Sequence, residues 1–170
     1  MKPIFLGTLM LICLHNVFAQ SPYISLKDGD HPEQHILNGI ITKYALQNDS
    51  TYKWYGSSQN SYSPAEGTVA AVAGAKSKLQ FVIFGGTWCE DTQFILPKFF
   101  KLQEQAGYPD AGVSLFAVDR TKKTIGGITD AFKISNVPTI IVMKDGKEVG
   151  RIVEYGKTGQ WDKELAELLK

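Results

Sequence analysis

The stretch Phe81-Val82-Ile83-Phe84-Gly85-Gly86-Thr87-Trp88-Cys89-Glu90-Asp91-Thr92 decides how this chain is read. The apolar run from Leu79 to Phe84 suits a strand buried on both faces. Gly85-Gly86 turns the chain. Glu90 to Ala106 then carries apolar residues at helical spacing, with Gly107 as the stop. Cys89 therefore stands at a helix start, where free backbone N–H groups and the helix dipole favour a thiolate. The thiolate is the nucleophile of disulfide exchange, so this position suits chemistry as well as packing. Glu90 and Asp91 fit the first turn of a helix but oppose the thiolate by like-charge repulsion. Thr92, one turn on, could donate its hydroxyl to the sulfur.

Outward from that block the pattern stays regular. Ser63-Pro64-Ala65-Glu66 reads as a helix start with Ser63 as cap, continued by an Ala-rich stretch to Ser77. Val113 to Val118 is a second strand, Thr124 to Lys133 a short helix and Thr139 to Met143 a third strand. Lys144-Asp145-Gly146-Lys147 is a turn into a fourth strand, Val149 to Tyr155. Trp161 to Leu169 closes the chain as an amphipathic helix. The expected fold is α/β, a central mixed four-stranded sheet with helices on both faces. Before it, Asp30-His31-Pro32-Glu33 suggests a helix from Pro32 to Gln47, with Ile36, Leu37, Ile40, Ile41 and Tyr44 on one face. Thr51 to Tyr62 reads as an irregular segment whose aromatics (Tyr52, Trp54, Tyr55, Tyr62) pack this helical extension onto the main domain.

From Ser63 to Lys170 the sequence resembles the thioredoxin-like family. Trp88-Cys89 follows its strand as in the family's Trp-Cys-x-x-Cys site. Pro97 falls where the family kinks the following helix, Val137-Pro138-Thr139 matches its Val-Pro-Thr, and Gly146 falls at its hairpin glycine. The resemblance implies that Pro138 is cis and faces Cys89. It also implies that Trp88, Pro138 and the Val137 backbone contact a bound polypeptide. Two departures stand out. The second cysteine of the motif is Thr92, and the family's buried aspartate and its lysine partner fall on Ile83 and Leu115. A mixed disulfide at Cys89 then has no internal thiol to resolve it.

The N-terminus has the layout of a secretory leader cut after Ala19: Lys2, an apolar run from Ile4 to Leu14 too short to span a bilayer, and Val17-Phe18-Ala19. The expected division is a leader over 1–19, an N-terminal helical extension over 20–62 and a thioredoxin-like domain over 63–170. Cleavage removes Lys2 and Cys13. Basic and acidic residues are then equal in number, and Cys89 is the only cysteine. The product would be exported, periplasmic or secreted, and free of the membrane.

Composition narrows the function. A net charge of +1, with Arg120 and Arg151 the only arginines, gives no footprint for nucleic acid. Apolar content of 44%, with nine Phe, seven Tyr and three Trp, excludes a disordered chain. Two cysteines exclude a disulfide scaffold. No cofactor is implied. His31 and His35 lack a zinc-site pattern. Thr87 lies two residues before Cys89, whereas a peroxiredoxin-type site wants threonine three before. Lysines 76, 78, 98, 101, 122 and 123 read as solvated faces. Two functions stay open. One is single-thiol disulfide exchange or isomerisation, with Cys89 as nucleophile, Thr92 beside it, and a polypeptide thiol or disulfide and an external thiol as partners. The other is a non-catalytic module that binds polypeptide. A lone exported thiol also admits a disulfide-linked homodimer.

Overall fold

The computed structural model describes residues 21–170; the leader reading, Cys13 included, lies outside them. Strand β3 (Gln80–Gly85) leads into α4 (Glu90–Gln105), and β4 (Val113–Ala117) follows parallel to β3. A 3-10 turn (Ile125–Gly127) and the short α5 (Ile128–Ala131) precede β5 (Thr139–Lys144), β6 (Lys147–Val153) and α6 (Trp161–Leu168). β5 pairs antiparallel with both β3 and β6. The expected strands and helices of the main domain are therefore present. The helix expected over Thr124–Lys133 is shorter, because Gly126 and Gly127 hold positive φ and break its first turn.

The α/β reading holds, but among the described residues the sheet has six strands, not four: with β1 (Tyr23–Lys27) and β2 (His35–Ile41) added, the order is β1-β2-β4-β3-β5-β6. The two extra strands come from the extension, which is not purely helical. They form a hairpin, and β2 adds antiparallel to β4. The helix expected from Pro32 to Gln47 shrinks to α1 (Lys43–Gln47). The spacing of Ile36, Leu37, Ile40 and Ile41 fits one helix face, but it equally fits a strand apolar on both faces, and β-branched isoleucine favours the latter. Gly39 fixes the outcome. Its φ is +128°, and a Cβ there would collide with the Pro22 carbonyl oxygen.

The segment expected to be irregular forms α2 (Lys53–Asn60). Its aromatics do fasten the extension. Tyr52 and Tyr55 are buried in the main core, with Trp54 and Tyr62 against it. The helix after Ser63, α3 (Glu66–Gly74), is preceded by Ala65 rather than by a serine cap. Side chains alternate across the sheet. Phe81, Ile83, Leu115, Ile140 and Val142 face the core under α2, α3, α4 and α6. Phe84, Phe116 and Ile141 face the opposite side, with Ile128 and Phe132 of the α5 region over them.

Two lysines depart from the solvated pattern. Lys98 is buried. Its ammonium lies over the Phe94 ring, 3.0 Å from the centroid, and burial pulls its pKa down. Lys43, only 6% exposed, reaches Glu104 at 2.9 Å, Asp110 at 3.0 Å and Gln103 Oε1 at 3.1 Å. Burial pushes its ammonium down, but hydrogen bonds to Glu104 and Asp110 outweigh that and leave it raised. This network ties α1 to α4. Lys43→Met is expected to lower stability by about 1–2 kcal/mol, less than for a fully buried pair because both carboxylates stay partly solvated. A urea midpoint unchanged from the parent would show that the network contributes nothing.

Candidate thiol site

Cys89 is the N-cap of α4, in extended conformation, half-buried and, among the described residues, without a cysteine partner. Its backbone N–H bonds the Gly86 carbonyl at 3.0 Å, and its own carbonyl accepts from Gln93 N–H at 2.9 Å. The chain must pass from the β3 terminus to the α4 terminus within four residues, and this tight path lifts the sulfur to the sheet's C-terminal edge. Across from it lies the loop before β5. Cys89 Sγ donates to the Val137 carbonyl at 3.2 Å, and the Val137–Pro138 peptide is cis. That loop is itself pinned. Thr139 Oγ1 donates to the Asn136 carbonyl at 2.7 Å, and Glu154 N–H donates to the Pro138 carbonyl at 2.7 Å. The structure thus brings Cys89, Val137 and Pro138 together.

Trp88 is half-buried beside the sulfur. Its indole Nε1 donates to the Val118 carbonyl at 3.0 Å. A Cβ on Gly86 would lie 2.6 Å from the indole ring, so glycine at this position lets the tryptophan fold back over its own loop. Thr92 is placed differently from its expected role. It is buried, and its hydroxyl oxygen accepts from Gly86 N–H at 3.2 Å. It makes no hydrogen bond to Cys89 among the described residues. Threonine at the second motif position therefore ties the turn before Cys89 to the first turn of α4.

Around the sulfur the surface is acidic and aromatic. Glu90 is exposed and Asp91 half-buried, and Phe94 and Tyr155 pair at 5.6 Å between ring centroids. Burial, then the Asp91 carboxylate, push the Tyr155 phenol above its ordinary range. Ile83 and Leu115 are register partners on adjacent strands, 0% and 2% exposed. The site where a proton-relaying pair would sit is hydrocarbon. Among the described residues no group of three His, Cys, Asp or Glu side chains could hold a metal ion, and no helix is long and apolar enough to cross a membrane. His31 approaches Glu33 at 3.6 Å, while His35 sits in β2.

Sequence reasoning missed three contributors. Thr87 Oγ1 donates to the His35 carbonyl at 2.9 Å and accepts from Leu37 N–H at 3.3 Å, which joins the Trp88–Cys89 loop to β2. Asp28 and Arg120 form an ion pair at the same loop. The scarcity of arginine was the one available signal for Arg120. No local pattern marked Asp28, because its partner lies far along the chain.

Fold and site together define a thioredoxin-like protein with one thiol at the helix start. The Thioredoxin family model matches residues 68–167, more than half of the chain. Thioredoxin-1 of Saccharomyces cerevisiae is 35% identical over 79 residues, covering 46% of this chain and 71% of that protein. A thioredoxin of Staphylococcus haemolyticus is 31% identical over 94 residues, covering 55% and 82%. The chain belongs to the thioredoxin family. At that general level its relatives support thiol–disulfide redox chemistry on protein thiols or disulfides.

Proposed function

We propose that this protein is an exported thioredoxin-like protein that carries out disulfide exchange or isomerisation through the single thiol of Cys89. The supporting observation is the position of that thiol: half-buried at the N-terminus of α4, hydrogen-bonded to Val137, with Thr92 in the second motif position. Export rests on the leader pattern of residues 1–19.

Cys89 thiolate attacks one sulfur of a substrate disulfide. A mixed disulfide forms, and the other substrate cysteine leaves as a thiolate. The Val137 backbone aligns the substrate strand, with Pro138 and the exposed part of Trp88 against its side chains. Release needs a second thiolate from outside the chain. When a different substrate thiolate attacks the substrate sulfur of the mixed disulfide, Cys89 is regenerated and the substrate has exchanged its pairing; when the freed thiolate returns, the original disulfide re-forms. When an external thiol attacks, that thiol becomes disulfide-linked to the substrate or to Cys89, and a second external thiol completes a net reduction. Thr92 contributes position only, through its bond to Gly86.

Covalent capture tests this reading. Purified, reduced protein is expected to retain disulfide-bearing polypeptides from envelope extracts as adducts that dithiothreitol releases. Cys89→Ala is expected to abolish them, at least a hundredfold below the parent signal. Capture that persists at full level in Cys89→Ala, insensitive to reductant, would assign the groove to the non-catalytic polypeptide-binding module instead. A band of twice the monomer mass, lost in reductant, would report the Cys89-linked homodimer.

A further inference from the structure

We infer that Arg120, fixed by Asp28 of the N-terminal hairpin, is a positioning residue for the Trp88–Cys89 loop, which makes the β1–β2 hairpin a working part of the thiol site. The inference rests on the reading of Cys89 as the reacting thiol.

Arg120 follows β4, and its guanidinium spans two structural units. Toward the hairpin, Nε donates to Asp28 Oδ1 at 3.1 Å, and Nη2 donates to Oδ1 at 3.0 Å and Oδ2 at 2.9 Å. Nη1 reaches Asp30 Oδ2 at 3.2 Å. This is a forked pair of fixed geometry, not a loose surface contact, because the Asp28 side chain is 0% exposed. Asp28 is itself held. Its N–H donates to the Gln34 carbonyl at 3.3 Å, and its Oδ1 accepts from Asp30 N–H at 3.1 Å, so the turn of the hairpin closes around the carboxylate. Those hydrogen bonds from Arg120, ahead of the opposing effect of burial, keep the carboxyl below its usual range.

Toward the thiol, the same guanidinium lies 5.5 Å from the centre of the Trp88 ring. That distance suits a cation–π contact. The indole is then restrained from three directions: Arg120 over the ring, the Val118 carbonyl at Nε1, and the Gly86 backbone packed against it. A second strap runs in parallel, from β2 through Thr87 to the same loop, and Gln93 Nε2 donates to the Thr87 carbonyl at 2.8 Å. The charge of Arg120 is met by Asp28 and Asp30, so its influence on Cys89 is geometric rather than electrostatic. Attack on a disulfide requires alignment of three sulfurs, and small misplacements of a reacting group cost large factors in rate. Within the four-residue loop the one backbone bond, Cys89 N–H to the Gly86 carbonyl, fixes the turn but not the Trp88 side chain beside the sulfur, which Arg120 and the Val118 carbonyl hold.

The test uses the full mature protein with Arg120→Lys and, separately, Asp28→Asn. Both keep side-chain size near the original. The first keeps the charge but loses the fork and the planar stack. Hydrogen exchange by mass spectrometry is expected to rise about tenfold or more in peptides covering 86–93, with peptides from β5 and α6 unchanged. The rate of mixed-disulfide formation with a polypeptide disulfide is expected to fall by about tenfold, while alkylation of Cys89 by neutral iodoacetamide stays within about twofold. Exchange that stays slow at 86–93 in both variants would overturn the inference. So would a uniform rise across β5 and α6, which would mark Arg120 as a general stabiliser. A local rise at 86–93 in a protein whose parent forms no mixed disulfide would support the positioning role and refute the proposed chemistry, so the two failures are distinguishable.

Discussion

Ile83→Asp is expected to destabilise the protein by about 3–5 kcal/mol, the cost typical of an uncompensated charge placed in a core. Position 83 is where the resembled family carries its buried acid, so the substitution restores a family residue and yet should harm this chain. The reason lies in the neighbours. Ile83 is fully buried and in register with Leu115, itself 2% exposed, and both belong to the apolar cluster beneath α4. The register partners of Ile83 on the two adjacent strands, Leu115 and Ile140, are hydrocarbon and offer a carboxylate no counterion. Desolvation would raise the pKa of the new acid in the folded protein. The folded form would then hold a proton that the unfolded chain releases above about pH 3.9, so the penalty grows as pH rises from that value. Urea midpoints at pH 4 and pH 7 read this directly, with the larger loss at pH 7. Ile83→Asp/Leu115→Lys is expected to recover part of the loss at pH 7. A single variant that loses less than about 1 kcal/mol at pH 7 would mean that this pocket admits water or a counterion, and that the proton-relay site has not been converted to hydrocarbon.

The same residues show what the sequence can disclose. Strand β3, the Gly-Gly turn and Cys89 at the start of α4 are set by local pattern: an apolar run, turn residues and helical periodicity. Val137-Pro138 opposite the thiol comes from the family resemblance alone. The extension was legible only in part. Ile36, Leu37, Ile40 and Ile41 satisfy both a helix stripe and a strand buried on two faces, and the choice depends on β4, whose edge accepts β2 more than seventy residues away in sequence. Gly39 was the local hint, since an interior glycine weakens a helix and its observed φ is closed to other residues. The bond that Thr92 Oγ1 accepts from Gly86 N–H is set by the turn geometry, which no residue spacing announces. Arg120 and Asp28 were invisible as a pair because an ion pair between distant segments leaves no spacing signature.

Thr92→Cys is expected to turn a protein whose mixed disulfide external thiols resolve too slowly for detectable insulin reduction by dithiothreitol into one that catalyses that reduction. Residues 89 and 92 lie three apart at the start of α4 and share a helix face. The introduced sulfur takes the place of a hydroxyl oxygen that now lies within 3.2 Å of Gly86 N–H. Losing that acceptor costs about 1 kcal/mol of stability, small against the gain of a resolving thiol. In the variant, the new thiolate attacks Cys89 Sγ of the mixed disulfide, expels the substrate as a thiol and closes a disulfide within the chain. Dithiothreitol then reduces that disulfide and is itself oxidised to its cyclic form. Turnover should be clear above background yet slow, because Ile83 and Leu115 supply no group to take or return the proton as the new thiol ionises. Two observations would sink the idea. Robust insulin reduction by the unmodified protein would show that external dithiothreitol resolves the Cys89 mixed disulfide as readily as an internal cysteine would. A variant that keeps both thiols after mild oxidation, titrating two free sulfhydryls where the disulfide form has none, would show that the α4 start cannot bring the two sulfurs into bonding geometry.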